Sequence, residues 1–149
     1  MAAQELLYFT EHGSGPPLLL VHGLMVTGEI FDPVIERLAA RHRVVVPDLR
    51  GHGRSRGLPP PYTAAQLASD LSRVLDHLGI DSTAVLGYSQ GPARRPCPCT
   101  LPLSAGSTTA PKMLHDGIAG SRLIIVEDAD HALIWTHPDE LVHAVDEFL

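Results

Sequence analysis

Residues 17–48 read PLLLVHGLMVTGEIFDPVIERLAARHRVVVPD, and the alternation within this stretch decides which fold the sequence predicts. Short apolar runs stand at its two ends, PLLLVHG and RVVVPD, and both are typical of buried strands. Asp32 is expected to be the N-cap of a helix between them, with Pro33 at its first helical position. The apolar residues of that helix share one face: Phe31, Val34, Ile35 and Leu38. The stretch therefore predicts a strand–helix–strand unit.

The same alternation continues on both sides of this unit. LLYFTEHGSGPP at residues 6–17 predicts an earlier strand, and STAVLGYS at residues 82–89 predicts a third buried strand. A second helix precedes STAVLGYS, because Thr63 and Gln66 fit a capping box and Gly79 is placed to end the helix. Its apolar stripe consists of Leu67, Leu71, Val74, Leu75 and Leu78. This order predicts an α/β fold, with a mostly parallel sheet and helices on both faces.

The pattern is lost directly after Gly91. Residues 92–111 contain five prolines and no apolar period of either kind, so they are predicted to be irregular. The third strand then loses its usual neighbour on one side, and either the last strand pairs with it directly or an exposed edge remains. Order returns over residues 112–149, where RLIIVE predicts a last strand and Pro138 begins a helix. The apolar face of that helix consists of Leu141, Val142, Val145 and Phe148. We interpret residues 1–149 as one domain with three parts, 1–91, 92–111 and 112–149.

Composition argues against several classes of protein. The formal net charge of −6 disfavours nucleic acid as a partner, and no apolar run approaches the roughly 18 residues of a membrane-spanning helix. The first residues lack the features of a signal peptide, so a cytoplasmic location is expected. Cys97 and Cys99 are too close together for a zinc pair without further ligands, and no metal is expected. The histidines outside the candidate motifs are interpreted as solvated: His12, His42, His77, His115 and His143.

The third predicted strand leads directly into GYSQG at residues 87–91, which has the form G-x-S-x-G. This pattern places a serine nucleophile at the apex of a sharp strand-to-helix turn. A serine hydroxyl needs a base to take its proton, and the oxyanion that forms needs preorganised N–H donors. Ser89 is therefore the candidate nucleophile, and the N–H of Gln90 is expected to point at the oxyanion.

Several motifs in this order resemble the α/β-hydrolase fold family, in particular its single-domain serine esterases, lactonases and perhydrolases. The similar segments are LLLVHGLMVTGEIFDPVIERLAARHRVVVPDLRGHGRS, AVLGYSQG and LIIVEDADHALIWTHPDELVHAVDEFL. The resemblance covers residues from about 4 to 91 and from about 112 to 149. It implies a partial α/β-hydrolase fold that lacks the middle helix, the lid and the later strands of the family.

The resemblance also implies roles for individual residues. Ser89 matches the nucleophile and His131 the general base, while Leu24 matches the residue whose N–H joins that of Gln90 in the oxyanion hole. His22 is interpreted as shaping the oxyanion loop, and the turn from Asp48 to Ser55 as structural. The implied reaction is hydrolysis of a small ester or related carbonyl compound through an acyl-enzyme, without a cofactor. A serine at this position argues against haloalkane dehalogenases and epoxide hydrolases, which resemble the family but carry an aspartate there.

The segment before His131 departs from the family pattern. The family order is serine, acid, histidine, yet only about 40 residues separate Ser89 from His131. Asp116 lies past the usual loop of the acid, and Asp128 and Asp130 are too close in sequence to reach behind His131. No triad acid is assigned. The sequence therefore predicts a hydrolase that is internally truncated between the nucleophile turn and the last strand.

The truncation leaves alternatives open. The protein is either an active serine hydrolase, a catalytically inactive remnant or interaction-only protein, or a fragment complemented by another chain. Residues 92 to about 107 are interpreted as a deletion scar or an out-of-frame stretch, with a genuine segment as the alternative. The substrate and the oligomeric state are left open.

Overall fold

The computed structural model describes residues 6–88, 100–103 and 132–149, and a five-stranded sheet forms its centre. The strands are β1 (Phe9–His12), β2 (Pro17–Val21), β3 (Arg43–Pro47), β4 (Ala84–Tyr88) and β5 (Thr100–Leu103). Their order across the sheet is β1-β3-β2-β4-β5. The helices are α1 (Asp32–Ala39), α2 (Ala64–His77), α3 (Leu133–Thr136) and α4 (Pro138–Phe148), with short 3-10 helices at Gly28–Phe31 and Gly53–Ser55.

The sheet is mostly parallel, as the sequence predicts. Strand β2 pairs in parallel with β3 on one side and with β4 on the other, and β4 pairs in parallel with β5. Strand β1 is the exception, because it runs antiparallel to β3. The carboxyl ends of β2, β3 and β4 consequently meet at one edge of the sheet.

Side chains alternate between the two faces of the sheet and form two apolar cores. In β2, Leu18 and Leu20 enter one core, while Leu19 and Val21 enter the other. The first core is covered by α1, α3 and α4, and its helical members include Val34, Leu38, Ile134, Leu141 and Val145. The second core is covered by α2, which contributes Leu71 and Val74. The prediction of helices on both faces is confirmed. Successive side chains of a central strand point to opposite faces of the sheet, so each face needs helices to cover its apolar residues.

Two helix starts differ from their predictions. Helix α1 begins at Asp32 itself, with Phe31 as the N-cap, because the 3-10 helix Gly28–Phe31 runs directly into it and gives Phe31 a helical backbone. At α2, Thr63 Oγ1 accepts the N–H of Gln66 at 3.2 Å, as predicted. The side-chain amide of Gln66 instead donates to Asp70 Oδ1 at 2.9 Å, so the reciprocal half of the capping box is not formed. Gly79, with φ of +66°, ends this helix as predicted.

The prediction that residues 92–111 are irregular is wrong for Thr100–Leu103, which form β5 beside β4. The neighbour of β4 on this side is therefore a segment for which the sequence predicts no strand. Pro102 argues against a strand in the sequence, but proline is tolerated at the edge of a sheet, and β5 is the outermost strand among the described residues. The remainder of 92–111 and the predicted strand RLIIVE lie outside the described residues.

The C-terminal helix α4 packs against α1, and its predicted apolar face is confirmed. Leu141 and Val145 are buried in the first core, and Val142 and Phe148 pack against it. At the end of α1, Asp146 lies 3.0 Å from Arg41 Nη1 and 3.2 Å from His42 Nε2. The interpretation of His42 as solvated is wrong, because the docked α4 covers it and leaves it 6% exposed.

Candidate active site

Three segments leave the same edge of the sheet side by side. Strand β2 lies between β3 and β4, with Leu19 opposite Val45 and Val21 opposite Gly87. His22 and Asp48 directly follow β2 and β3, and Ser89 is the residue after β4. In parallel α/β sheets ligands bind at this edge, in the crevice outside the carboxyl ends of the strands. The edge is therefore the candidate active site.

His22 connects the loop after β2 to the loop after β3. The residue is fully buried, and its Nε2 accepts the N–H of Leu49 at 2.9 Å. A ring nitrogen that accepts from an N–H carries no proton, so the proton of the neutral ring must lie on Nδ1. Nδ1 lies 2.7 Å from the carbonyl oxygen of Gly23, to which it donates. The two contacts fix both the tautomer and the orientation of the ring.

The surroundings of His22 favour its neutral form. Burial lowers the pKa of the imidazole, the hydrogen bond to the Gly23 carbonyl opposes this, the charge of His52 lowers the pKa further, and that of Asp48 raises it. The pKa lies below its ordinary value on balance. The ring of His52 stands edge-on to that of His22, with 5.2 Å between their centroids. The neutral tautomer required by Leu49 is thus also the one that the environment prefers.

Asp48 provides a second link between the same two loops. Its carboxylate is buried, with Oδ1 accepting the N–H of Gly28 at 2.8 Å and Oδ2 accepting the N–H of Arg54 at 2.9 Å. The first bond holds the start of the 3-10 helix after β2, and the second holds the turn after β3. Because both oxygens are engaged with backbone groups, the contacts of Asp48 agree with a structural role.

The turn after β3 is tied in addition to α2. Arg50 Nε lies 2.6 Å from Asp70 Oδ2, and Arg50 Nη2 lies 2.9 Å from Asp70 Oδ1, a bidentate pair with both side chains largely buried. Burial by itself would raise the pKa of Asp70, but the hydrogen bonds from Arg50 and Gln66 and the charges of Arg50 and Arg73 outweigh it. The pKa of Asp70 is therefore held below its ordinary value. The same turn is also tied to the residue before β1, because Ser55 Oγ accepts the N–H of Tyr8 at 2.9 Å.

Leu24 and Met25 form the outermost part of the loop after β2. Leu24 is 61% exposed and Met25 95% exposed. Met25 has φ of +64°, a left-handed conformation that few non-glycine residues adopt. Within residues 6–88, 100–103 and 132–149, no hydrogen-bond acceptor faces the N–H of Leu24. Such a donor is available to a ligand at the edge of the sheet.

Of the four residues that the sequence predicts for the site, the described part of the chain contains one, Leu24. Ser89, Gln90 and His131 lie outside the described residues, and their roles stay predictions. Sequence reasoning missed Asp70 as a support of the site. Its only signal is a carboxylate beside the apolar stripe of α2, three residues after Leu67.

The described residues add two further findings. No three histidine, cysteine, aspartate or glutamate side chains among them come together in a way that would hold a metal ion. No helix in the same ranges is long and apolar enough to cross a membrane. The expectations of no metal and no cofactor stay predictions.

Comparison with known proteins identifies the family. The α/β hydrolase fold family matches residues 16–92, which is more than half of the chain. The chain belongs to the α/β-hydrolase fold family. The match ends one residue after Gly91, where the sequence pattern is lost.

Its relatives carry several different names. The magnesium-chelatase 30 kDa subunit of Rhodobacter capsulatus is 44% identical over 91 residues, covering 56% of this chain and 30% of that protein. RutD of Azorhizobium caulinodans, whose name proposes a carbamate hydrolase, is 40% identical over 85 residues, covering 57% and 32%. The soluble epoxide hydrolase of Corynebacterium sp. is 34% identical over 85 residues, covering 57% and 30%. This chain spans about a third of the length of these relatives, consistent with a truncated hydrolase.

Two solved structures resemble this chain to different extents. The epoxide hydrolase CorEH superposes with a TM-score of 0.55 at 35% identity, over 57% of this chain and 30% of that one. Est816, described as an N-acyl homoserine lactone degrading enzyme, superposes with a TM-score of 0.81 over 96% of both chains. Its identity is 18%, so this likeness shows the fold alone. Together, the relatives identify a hydrolase family and leave the reaction of this chain to be proposed from its own residues.

Proposed function

We propose that this protein is a serine hydrolase that cleaves a small ester or related carbonyl compound through an acyl-enzyme. One observation carries the proposal. Strand β4 ends at Tyr88, immediately before the serine of a G-x-S-x-G motif, and it pairs in parallel with β2, whose loop contributes Leu24 at the same edge. A strand leading into this motif in an α/β-hydrolase is the context that the motif requires.

In the proposed reaction, Ser89 Oγ attacks the carbonyl carbon while His131 takes its proton. The N–H groups of Leu24 and Gln90 stabilise the oxyanion of the tetrahedral intermediate. The bond to the leaving group breaks as His131 returns the proton to it, and water releases the acyl group in a second cycle of the same steps. The exposure of Leu24 and the lack of a partner for its N–H among the described residues support its part in this scheme.

Ser89 also helps to decide which type of hydrolysis we propose for this chain, since its relatives carry the names of different enzymes. Epoxide hydrolases are among the proteins that are similar to 57% of this chain. We keep the serine-dependent reaction as the proposal, because position 89 carries a serine, whereas the family resemblance implies an aspartate at this position in epoxide hydrolases. A small-molecule substrate and a cytoplasmic location belong to the same proposal.

A fluorophosphonate probe tests the proposal, because it reacts covalently with an activated serine. We expect wild-type protein to be labelled and Ser89→Ala to be unlabelled. Ser72→Ala is the matched control, since Ser72 is exposed on α2 and its hydroxyl bonds only to the carbonyl of Ala68 among the described residues. Labelling that persists in Ser89→Ala would contradict the assignment of the nucleophile.

The alternative is a catalytically inactive remnant or an interaction-only protein. Two observations favour it: the match covers only about a third of the length of the relatives, and no triad acid is assigned. A folded, monodisperse sample that is not labelled would support this alternative. The solution mass of a labelled sample addresses complementation, because a labelled monomer needs no second chain.

A further inference from the structure

The peptide group that carries the proposed oxyanion donor is held from its opposite end. The N–H of Leu24 and the C=O of Gly23 belong to one planar trans peptide unit, in which the two groups point in opposite directions. His22 Nδ1 donates to that carbonyl at 2.7 Å. The direction of the Leu24 N–H is therefore set by the position of the His22 ring.

The ring is in turn anchored outside its own loop. Its Nε2 accepts the N–H of Leu49, which follows β3 by two residues, at 2.9 Å. The chain of contacts thus runs from the end of β3 through the imidazole to the peptide of Gly23 and Leu24. Each contact requires a different ring nitrogen, so a single tautomer makes both.

We propose that His22 is a positioning residue for the oxyanion donor, and that it orients the Leu24 N–H only while its imidazole is neutral. The proposal rests on the proposed function, because it takes Leu24 as the donor. His22 itself does not touch the substrate. Its effect passes through the Gly23–Leu24 peptide plane.

Protonation breaks the anchor for a geometric reason. A proton on Nε2 would face the N–H of Leu49, and two donors 2.9 Å apart repel each other. Asp48 cannot serve as a substitute acceptor without a cost, because its two oxygens already accept the N–H groups of Gly28 and Arg54. His52, on the other side, stands edge-on to the ring, and its charge disfavours a second cation.

The same surroundings set the pH range of the effect. The pKa of His22 is lowered, chiefly by burial, so the folded state binds fewer protons than the unfolded state just below the ordinary value of about 6.5. The contribution of the neutral ring to stability is fully present above that pH. It is lost as the pH falls from there through the lower pKa of the folded state.

The first test needs no variant and no activity. In 1H–15N spectra of the 15N-labelled protein, we expect the His22 ring to show the neutral Nδ1–H tautomer at pH 7.5. On acidification, the amide signals of Leu24 and Leu49 should shift together with the titration of this ring. Amide signals of Leu24 that do not follow the His22 titration would overturn the proposal, whether or not the protein is an enzyme.

The second test compares two substitutions of similar shape. In His22→Asn, the side-chain amide nitrogen lies near the former Nδ1 and can donate to the Gly23 carbonyl, whereas His22→Leu offers no donor. At pH 8, the maximal rate of fluorophosphonate labelling is measured separately from probe affinity, per folded molecule. We expect His22→Leu to lose on the order of a hundredfold in maximal rate, with affinity unchanged, and His22→Asn to retain more of it.

The two tests separate the proposals from each other. Equal labelling rates in the Asn and Leu variants would overturn the positioning role while leaving the serine hydrolase in place. A wild-type protein that is never labelled would contradict the proposed function, and the amide titration would then still decide whether His22 orients the Leu24 peptide. His77→Asn is the control substitution, since His77 is exposed on α2.

Discussion

Replacing Gly53 by alanine is expected to lower the free energy of unfolding more than the same change at Gly79 or Gly57. Gly53 begins a 3-10 helix with φ of +45°. A Cβ at this position would lie 2.2 Å from Asp48 Oδ2 and 2.6 Å from Asp48 Cγ. The carboxylate cannot simply move away, because it holds the N–H groups of both Gly28 and Arg54.

The magnitude follows from two separate costs. A left-handed backbone costs an L-residue about 1 to 2 kcal/mol. Forcing an extra carbon into a filled site typically costs about 1 to 3 kcal/mol more. The expected loss for Gly53→Ala is therefore about 2 to 5 kcal/mol.

Substitutions at two other glycines distinguish the backbone cost from the packing cost. Gly79 has φ of +66° but open space around its Cβ position, so Gly79→Ala should lose only the backbone cost of about 1 to 2 kcal/mol. Gly57 has neither a left-handed backbone nor a neighbour within 4 Å, so Gly57→Ala should change stability by less than about 0.5 kcal/mol.

Urea unfolding followed by far-ultraviolet circular dichroism measures all three variants, with the slope against urea as the check that the unfolding reaction is unchanged. The expected ranking of destabilisation is Gly53→Ala, then Gly79→Ala, then Gly57→Ala. If Gly53→Ala were no more destabilising than Gly79→Ala, the close approach of Gly53 to Asp48 would not limit this turn. If Gly57→Ala were as destabilising as the others, the conformational argument would be refuted.

Three further predictions concern the Asp70 ion pair, the N-cap of α2 and the docking of α4, and they use the same unfolding assay. Asp70→Asn should cost about 3 to 5 kcal/mol at neutral pH, because it leaves Arg50 buried without its bidentate partner. Since the pKa of Asp70 is lowered, wild-type protein should also lose stability as the pH falls below about 4, and the variant should lack that part of the acid dependence. Thr63→Ala should cost about 1 kcal/mol through the lost N-cap of α2, and no loss would show that the cap is replaced by solvent. Leu141→Ala should cost about 2 to 5 kcal/mol if α4 docks on α1 as described, and a change near zero would contradict that docking.

Much of the fold follows from local patterns in the sequence. The runs PLLLV and RVVVP form β2 and β3, and the apolar stripe of α2 packs on the second core. These predictions succeed because periodicity reports directly which side of an element faces an apolar core. The same patterns indicate the family, and the family match over residues 16–92 confirms it.

The predictions that are wrong concern residues whose partners lie far away in the sequence. The sequence predicts Asp32 as the N-cap of α1, but a 3-10 helix precedes it, and that turn is held by the bond from Gly28 to Asp48, 20 residues away. The sequence places His42 in solvent, but α4, about 100 residues further along the chain, covers it. In each case the deciding partner is distant in sequence, so no local pattern contains it.

The sequence by itself determined that this chain belongs to the α/β-hydrolase fold family and which strands and helices build its first half. That Ser89 is the nucleophile stays a prediction from the sequence. Tertiary structure decided what surrounds that position. The tautomer of His22, the engagement of both oxygens of Asp48 and the burial of Asp70 beside Arg50 all depend on loops that meet only when the parallel strands align. Hydrogen bonds and charges act over a few ångströms of space, and the distance between two residues along the chain does not reveal which of them will come that close.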